Sequence, residues 1–297
     1  MAALARRVKV KFMAILGEAG STPTVAAAPE TIQFEGREGT VLPVKVPSPS
    51  DKLPRSIFSF AIHKSGSVLL DNILLDLCAA ASVPTISIDG ICFAGGLRLQ
   101  DLQPQAPIAL LSRPGYCFYG FRGLHKFMEK VDLASCKKVI LVRDPRDVLT
   151  SYFFSMKFSH TVPPAGATRA GVLDQREAAH SLSIDEYVLS PKVAFFENNF
   201  RRYMTLEGDN TKVFRYEDVI FDKRNWVAAI NTWFALGVSE ERVLAIADKH
   251  DIIPNQEDPN AHIRQVTPGN YKKNLTQGTV DAITRQYQDI MKHYGYA

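Results

Sequence analysis

The sequence predicts an α/β fold: a single domain with a central parallel sheet flanked by helices, and a P-loop-like anion cradle after its first core strand. Three observations predict it. Ser56-Ile57-Phe58-Ser59-Phe60-Ala61-Ile62 is a short apolar, β-rich run, followed by the polar turn His63–Ser67 and then by Leu70, Ile73, Leu74 and Leu77 at helical spacing. Lys138–Arg143 is a second such run, and Asp144-Pro145 behind it is a helix start, an acidic N-cap with proline at the first helical position. Lys212–Tyr216 is a third. Apolar strands alternating with amphipathic helices form parallel sheets covered on both faces, and such sheets bind ligands at the carboxyl ends of their strands.

Residues 1–54 read as an irregular N-terminal arm, rich in Pro, Thr and Ala from Gly20 onward, and residues 55–297 as the main domain. Within the arm, Ala5–Leu16 reads as a short basic amphipathic helix capable of weak peripheral membrane contact. In the main domain, Val68–Ala81, Val148–Phe158, Ile184–Leu206, Arg224–Leu236 and Glu240–Lys249 have helical patterns. Val280, Ile283, Tyr287, Ile290 and Tyr294 repeat that spacing in the tail.

The 297 residues, 46% hydrophobic and 22% charged, suffice for one large core and exclude global disorder. A net charge of +4 suits an anionic small molecule and is too dispersed to argue for nucleic acid. Cys78, Cys92, Cys117 and Cys136 have neither CxxC nor framework spacing, so they read as reduced thiols of a cytoplasmic protein. No apolar run reaches the ~18 residues of a membrane span. Oligomeric state is left open.

Three segments carry chemistry. Lys64-Ser65-Gly66-Ser67 places a cation and hydroxyls at a strand-to-helix turn, where loop amides and the helix dipole favour an anion. The spacing is not G-x-x-x-x-G-K-[ST], which disfavours an ordinary P-loop kinase or ATPase. Arg143 ends a strand and can fork onto a phosphate; Ser151 lies two turns into the following helix. The alternative is that Arg143 simply pairs with Asp147. Arg264–Asn274 is a basic, turn-rich loop before the last helix.

Taken together and in this order, these segments resemble the PAPS (3′-phosphoadenosine 5′-phosphosulfate)-dependent sulfotransferase family. The family's PKSGTTW loop corresponds to His63-Lys64-Ser65-Gly66-Ser67-Val68-Leu69, and its RNPKDVxVSxY motif to Arg143–Tyr152, with Arg143, Pro145, Asp147, Val148, Ser151 and Tyr152 retained. Tyr216-Glu217-Asp218 matches its YED. Arg264–Lys273 matches RKGxxGDWKN at Arg264, Gly269 and Lys272. The resemblance spans about residues 55–297. It implies PAPS as sulfuryl donor, PAP as product and no metal. Lys64 would contact the 5′-phosphate and bridging oxygen, and the amides of Ser65, Gly66, Ser67, Val68 and Leu69 would cradle the phosphosulfate. Arg143, Ser151 and Arg264 would hold the 3′-phosphate, with Tyr216 near the adenine.

Departures are informative. The family's proline before the lysine is His63, its adenine-stacking tryptophan is Leu69, and the RKG lysine and glycine are Gln265 and Val266. The family's general-base histidine should fall near Tyr119–Arg122, where none stands, and Arg122 reads instead as a residue that orients the acceptor. His63, His125, His160 and His180 are alternative bases, with a carboxylate as the remaining choice; His160, just past the helix from Asp144, is preferred. Ile91–Pro107 and Ser159–Ser183 read as irregular walls of a pocket for a small-molecule, glycan or lipid hydroxyl. A non-catalytic PAP-binding module and an atypical small-molecule kinase are the rival readings.

Overall fold

The structure is a computed structural model, and it describes residues 29–36, 39–163, 165–252 and 266–297. The basic segment Ala5–Leu16 and Arg264 lie outside the described residues.

The arm contains regular structure. β1 (Glu30–Glu35) and β2 (Val41–Val46) form an antiparallel hairpin. Alternation buries Phe34, Val44 and Val46 on one face, while the surrounding prolines and threonines mask that period-two signal. The arm is thus not irregular throughout.

The central sheet has the order β4-β5-β3-β6-β7, all parallel: β3 (Ile57–Ala61), β4 (Thr85–Ile86), β5 (Cys117–Phe121), β6 (Lys138–Val142) and β7 (Thr211–Arg215). β3 and β6 are buried along their whole length, as a sheet covered on both faces requires. Alternate residues divide two cores. Phe58, Phe60, Phe118, Phe121, Ile140 and Val142 face one layer; Ile57, Ala61, Cys117, Val139 and Leu141 face the other. Each buried Phe, Ile, Val or Leu among them contributes about 1.5–3 kcal/mol. From β3 the chain moves toward β4 and β5, and from β6 it moves toward β7. The strand order therefore reverses between β3 and β6, which is where such sheets open a ligand crevice.

The helices before β6 are α1 (Ser67–Ala81), α2 (Ile88–Ala94) and α3 (Gln105–Leu111). After β6 come α4 (Pro145–Phe154), α5 (Gly166–Ser181), α6 (Ile184–Val188) and α7 (Phe195–Met204). After β7 come α8 (Tyr216–Val219), α9 (Lys223–Phe234), α10 (Glu240–Lys249), α11 (Tyr271–Asn274), α12 (Gln277–Gln286) and α13 (Gln288–Tyr294). The helix expected over Ile184–Leu206 is divided into α6 and α7, because Pro191 between them has no N–H to donate. The wall Ser159–Ser183, expected to be irregular, is mostly α5. Only Val172 and Ala179 of α5 are buried, so its apolar stripe is too thin to read. No helix among the described residues is long and apolar enough to cross a membrane.

Candidate nucleotide and acceptor site

The loop after β3 reverses direction in two left-handed residues, Lys64 (φ 68°) and Gly66 (φ 86°). Left-handed lysine is a costly conformation, and such residues gather where a loop is shaped for a ligand. Gly66 is required twice over: a Cβ there would sit 2.9 Å from Cδ2 of Tyr216. The Ser65 hydroxyl lies 2.6 Å from the Ile62 carbonyl and 3.1 Å from that of Leu141, and its amide donates to Ile62. Ser65 therefore anchors the loop to β3 and β6, a different task from the ligand-facing donor expected of it. The first turn of α1 has no side-chain cap and no acidic residue, leaving its first amides for an anion.

Arg143 leaves β6 nearly buried. It donates to Lys64 O (3.2 Å) and to Asp147 Oδ2 (3.1 Å), and its guanidinium lies 4.4 Å from the centre of the Tyr216 ring. Its Nε is buried without a partner among the described residues. The Arg143–Asp147 pair is thus real, yet Asp147 does more than pair. Fully buried, it also accepts from the amides of Gly269 (2.7 Å) and Tyr271 (3.0 Å), binding the C-terminal motif to α4. Tyr216 donates to Val266 O at 2.8 Å, and Leu69 packs on the cluster of Tyr216, Ile220 and Val266. Burial pushes the Tyr216 phenol up to about 12, so it remains a neutral donor. Glu217 accepts from Asp144 N (3.0 Å) and from the Tyr296 hydroxyl (2.9 Å), which docks the C-terminus beneath this loop. Burial raises the Glu217 pKa. Ser151 is half-buried on α4.

On the β5 side of the loop, His63 is half-buried among Tyr152, Phe195 and Phe196, each with ring centroid 6.3 Å away. Burial first, then the charges of Arg122, His160 and Lys64, hold its imidazole well below the usual histidine range. Arg122, just past β5, pairs with Asp71 of α1, and its amide donates to Asp89 at 3.2 Å. Arg122 Nη1 and Asp71 Oδ1 are buried without partners among the described residues. Desolvation raises the Asp71 pKa. The sequence reading missed Asp71. The available signal was its spacing, three residues before Leu74 and seven before Cys78, which puts a carboxylate on the apolar face of α1.

Of the other candidate bases, His160 closes a π turn over Ser155–Ser159 that extends α4, with Nδ1 3.4 Å from Ser155 Oγ and its carbonyl held by Arg176. His125 lies 3.4 Å from Asp89, and His180 is exposed on α5. The two expected walls meet: a Cβ on Gly166 would sit 2.2 Å from Gly96 O. Among the described residues no group of three or more His, Cys, Asp or Glu is arranged for a metal ion.

A five-stranded parallel sheet between helical layers, with a P-loop-like turn at its switch point, defines a sulfotransferase-like α/β fold. The crystal structure of mouse sulfotransferase SULT7A1 complexed with PAP matches it with a TM-score of 0.53 at 16% identity, over 80% of this chain and 84% of that chain. Retinol dehydratase, solved with retinol and PAP and with androsterone and inactive cofactor PAP, is 18% identical in each case, with a TM-score of 0.48. The matches cover 90% of this chain and 92% and 91% of the other chains. No family model matches the sequence, and no curated protein matches it.

Proposed function

We propose that this protein is a PAPS-dependent sulfotransferase, moving a sulfuryl group to an acceptor hydroxyl by in-line displacement and releasing PAP. One observation carries the reading. The Lys64 loop, Arg143, Tyr216 and the Val266–Tyr271 segment converge at the carboxyl ends of β3 and β6, in a fold shared with a PAP-bound sulfotransferase.

PAPS supplies an activated sulfuryl group whose departure leaves negative charge on a phosphate oxygen. Lys64 meets that charge, and the amides of Gly66, Ser67, Val68 and Leu69 at the start of α1 cradle the phosphosulfate. Ser65 keeps the loop in place. Arg143 and Ser151, with Arg264, are assigned to the 3′-phosphate, and the unpartnered Arg143 Nε fits a phosphate oxygen. Tyr216 and Leu69 border the adenine. The acceptor's proton goes to an imidazole beside the loop, where His63 lies within reach of the charge of His160. The acceptor is a small-molecule, glycan or lipid hydroxyl, and no metal is assigned. The four cysteines are buried and unpaired, which suits a cytoplasmic location.

The test is sulfur-labelled PAPS with an acceptor panel, with and without magnesium, alongside melting curves with PAP. Transfer without magnesium supports the reading. PAP binding without transfer to any acceptor would make the protein a nucleotide-binding module, and magnesium-dependent phosphoryl transfer would make it a kinase. PAP at a hundred times its dissociation constant should add about 2.7 kcal/mol of stability. An unmoved melting temperature overturns the assignment.

A further inference from the structure

His63 stands where the family resemblance places a proline, and the geometry gives that exchange a use. The residue sits between the last residues of β3 and Lys64, so its ring lies one residue from the cation assigned to the leaving oxygen. Phe60 of β3 is in register with Phe121 of β5, which sets His63 and Arg122 just beyond the ends of neighbouring strands. Tyr152 from α4 and Phe195 and Phe196 from α7 wall the ring. Among the described residues the ring meets these aromatics and no hydrogen-bonding partner, so a nitrogen is left for a ligand. The charge of Arg122 acts on the ring, and Arg122 Nη1 and Oδ1 of its partner Asp71 are buried without hydrogen-bonding partners among the described residues. The His160 ring, in contrast, already has Ser155 Oγ at 3.4 Å.

We propose that His63, at the mouth of the donor loop, is the catalytic base that takes the acceptor's proton, with the Arg122–Asp71 pair positioning the acceptor beside it. This inference rests on the sulfotransferase reading. In the step, the acceptor oxygen forms a bond to sulfur while the bond from sulfur to the bridging oxygen breaks. That electron pair stays on the phosphate, facing Lys64, and the hydroxyl proton moves to His63. The groups facing His63 are Lys64 on its own loop, Arg122 beyond β5 with its partner Asp71 on α1, and His160 and Tyr152 on the α4 side. Burial first, and then these three cationic neighbours, Arg122, His160 and Lys64, hold the imidazole neutral near pH 7, and its imidazolium returns the proton readily.

His63→Gln and His63→Pro test the assignment in the full chain, with sulfur-labelled PAPS and benzyl alcohol, 4-nitrophenol or water as acceptor. Transfer to benzyl alcohol is expected to fall ~10²–10⁴-fold, the range of general-base assistance. Transfer to 4-nitrophenol, largely ionised at about pH 8, should fall less than about tenfold, because little proton remains to be removed. PAP affinity should hold. If His63→Gln keeps the benzyl alcohol rate, or if only His160→Gln loses it, the inference is overturned. Wild-type protein that binds PAP yet transfers to no acceptor, water included, sinks the sulfotransferase reading instead. Imidazole proton NMR then judges His63 without turnover. The resonance missing in His63→Gln should titrate well below ordinary histidines and shift on adding PAP; an ordinary titration with no response to PAP overturns the inference.

Discussion

Asp147→Ala should be among the most damaging single substitutions in this chain. Its carboxylate is fully buried and serves three donors from two regions: Arg143 at 3.1 Å, Gly269 N at 2.7 Å and Tyr271 N at 3.0 Å. Removing it strands the Arg143 guanidinium, whose side chain is only 6% exposed, and breaking a buried pair from one side costs about 3–5 kcal/mol. The two amides lose their acceptor as well, at about 1–3 kcal/mol each if water cannot reach them. The Gly269 segment can partly relax toward solvent, so these costs do not add in full, and a loss of about 4 kcal/mol is expected. With a urea slope of about 3 kcal/mol per molar, the unfolding midpoint should drop by more than about 1 M. Asp147→Asn keeps one acceptor oxygen and should fall between. Urea melts followed by circular dichroism, with and without PAP, measure both effects. PAP affinity should also weaken, because Arg143 loses the carboxylate that aims it. A midpoint shift under about 0.3 M would refute the idea that Asp147 joins the two motifs.

Lys64→Ala should lower kcat about a hundredfold to a thousandfold with little change in PAPS KM, as expected for charge that grows only in the transition state. Arg143→Ala should instead mainly weaken PAP binding, read by calorimetry, and the opposite pattern would exchange the two roles. Gly166→Val forces a Cβ toward Gly96 O from a left-handed backbone (φ 77°). It should part the two walls and raise the acceptor KM while leaving PAP affinity intact; equal losses of both would show that the walls do not line the acceptor site. The folded His63 pKa lies below the unfolded value of about 6.5, so the unfolded chain holds more protons between the two. Wild-type stability should therefore fall as pH drops below about 6.5, and His63→Gln should flatten that part of the curve in urea melts at several pH values.

Composition and pattern determined a good deal by themselves. β3, β6 and β7 are short runs of apolar and β-branched residues, and local polypeptide preference alone makes them strands. Asp144-Pro145 starts α4 through a cap that involves only its own first turn. The polar turns after β3 and β6 were legible for the same reason, because each is a local device at a strand end. Tertiary structure decided what depends on residues far apart in sequence. Asp147 reaches Gly269 and Tyr271 across more than a hundred residues, and Arg122 meets Asp71 only because β5 lies beside β3. The β1–β2 hairpin and α5 escaped notice because each buries few residues, and a face that thin leaves little periodicity to read. The surroundings of His63 were equally invisible. A lone histidine beside a lysine has an ordinary pKa in the chain, and only folding brings Arg122, His160 and the aromatic rings around it. The charge state of that imidazole is set by its neighbours in space, and sequence order does not specify them.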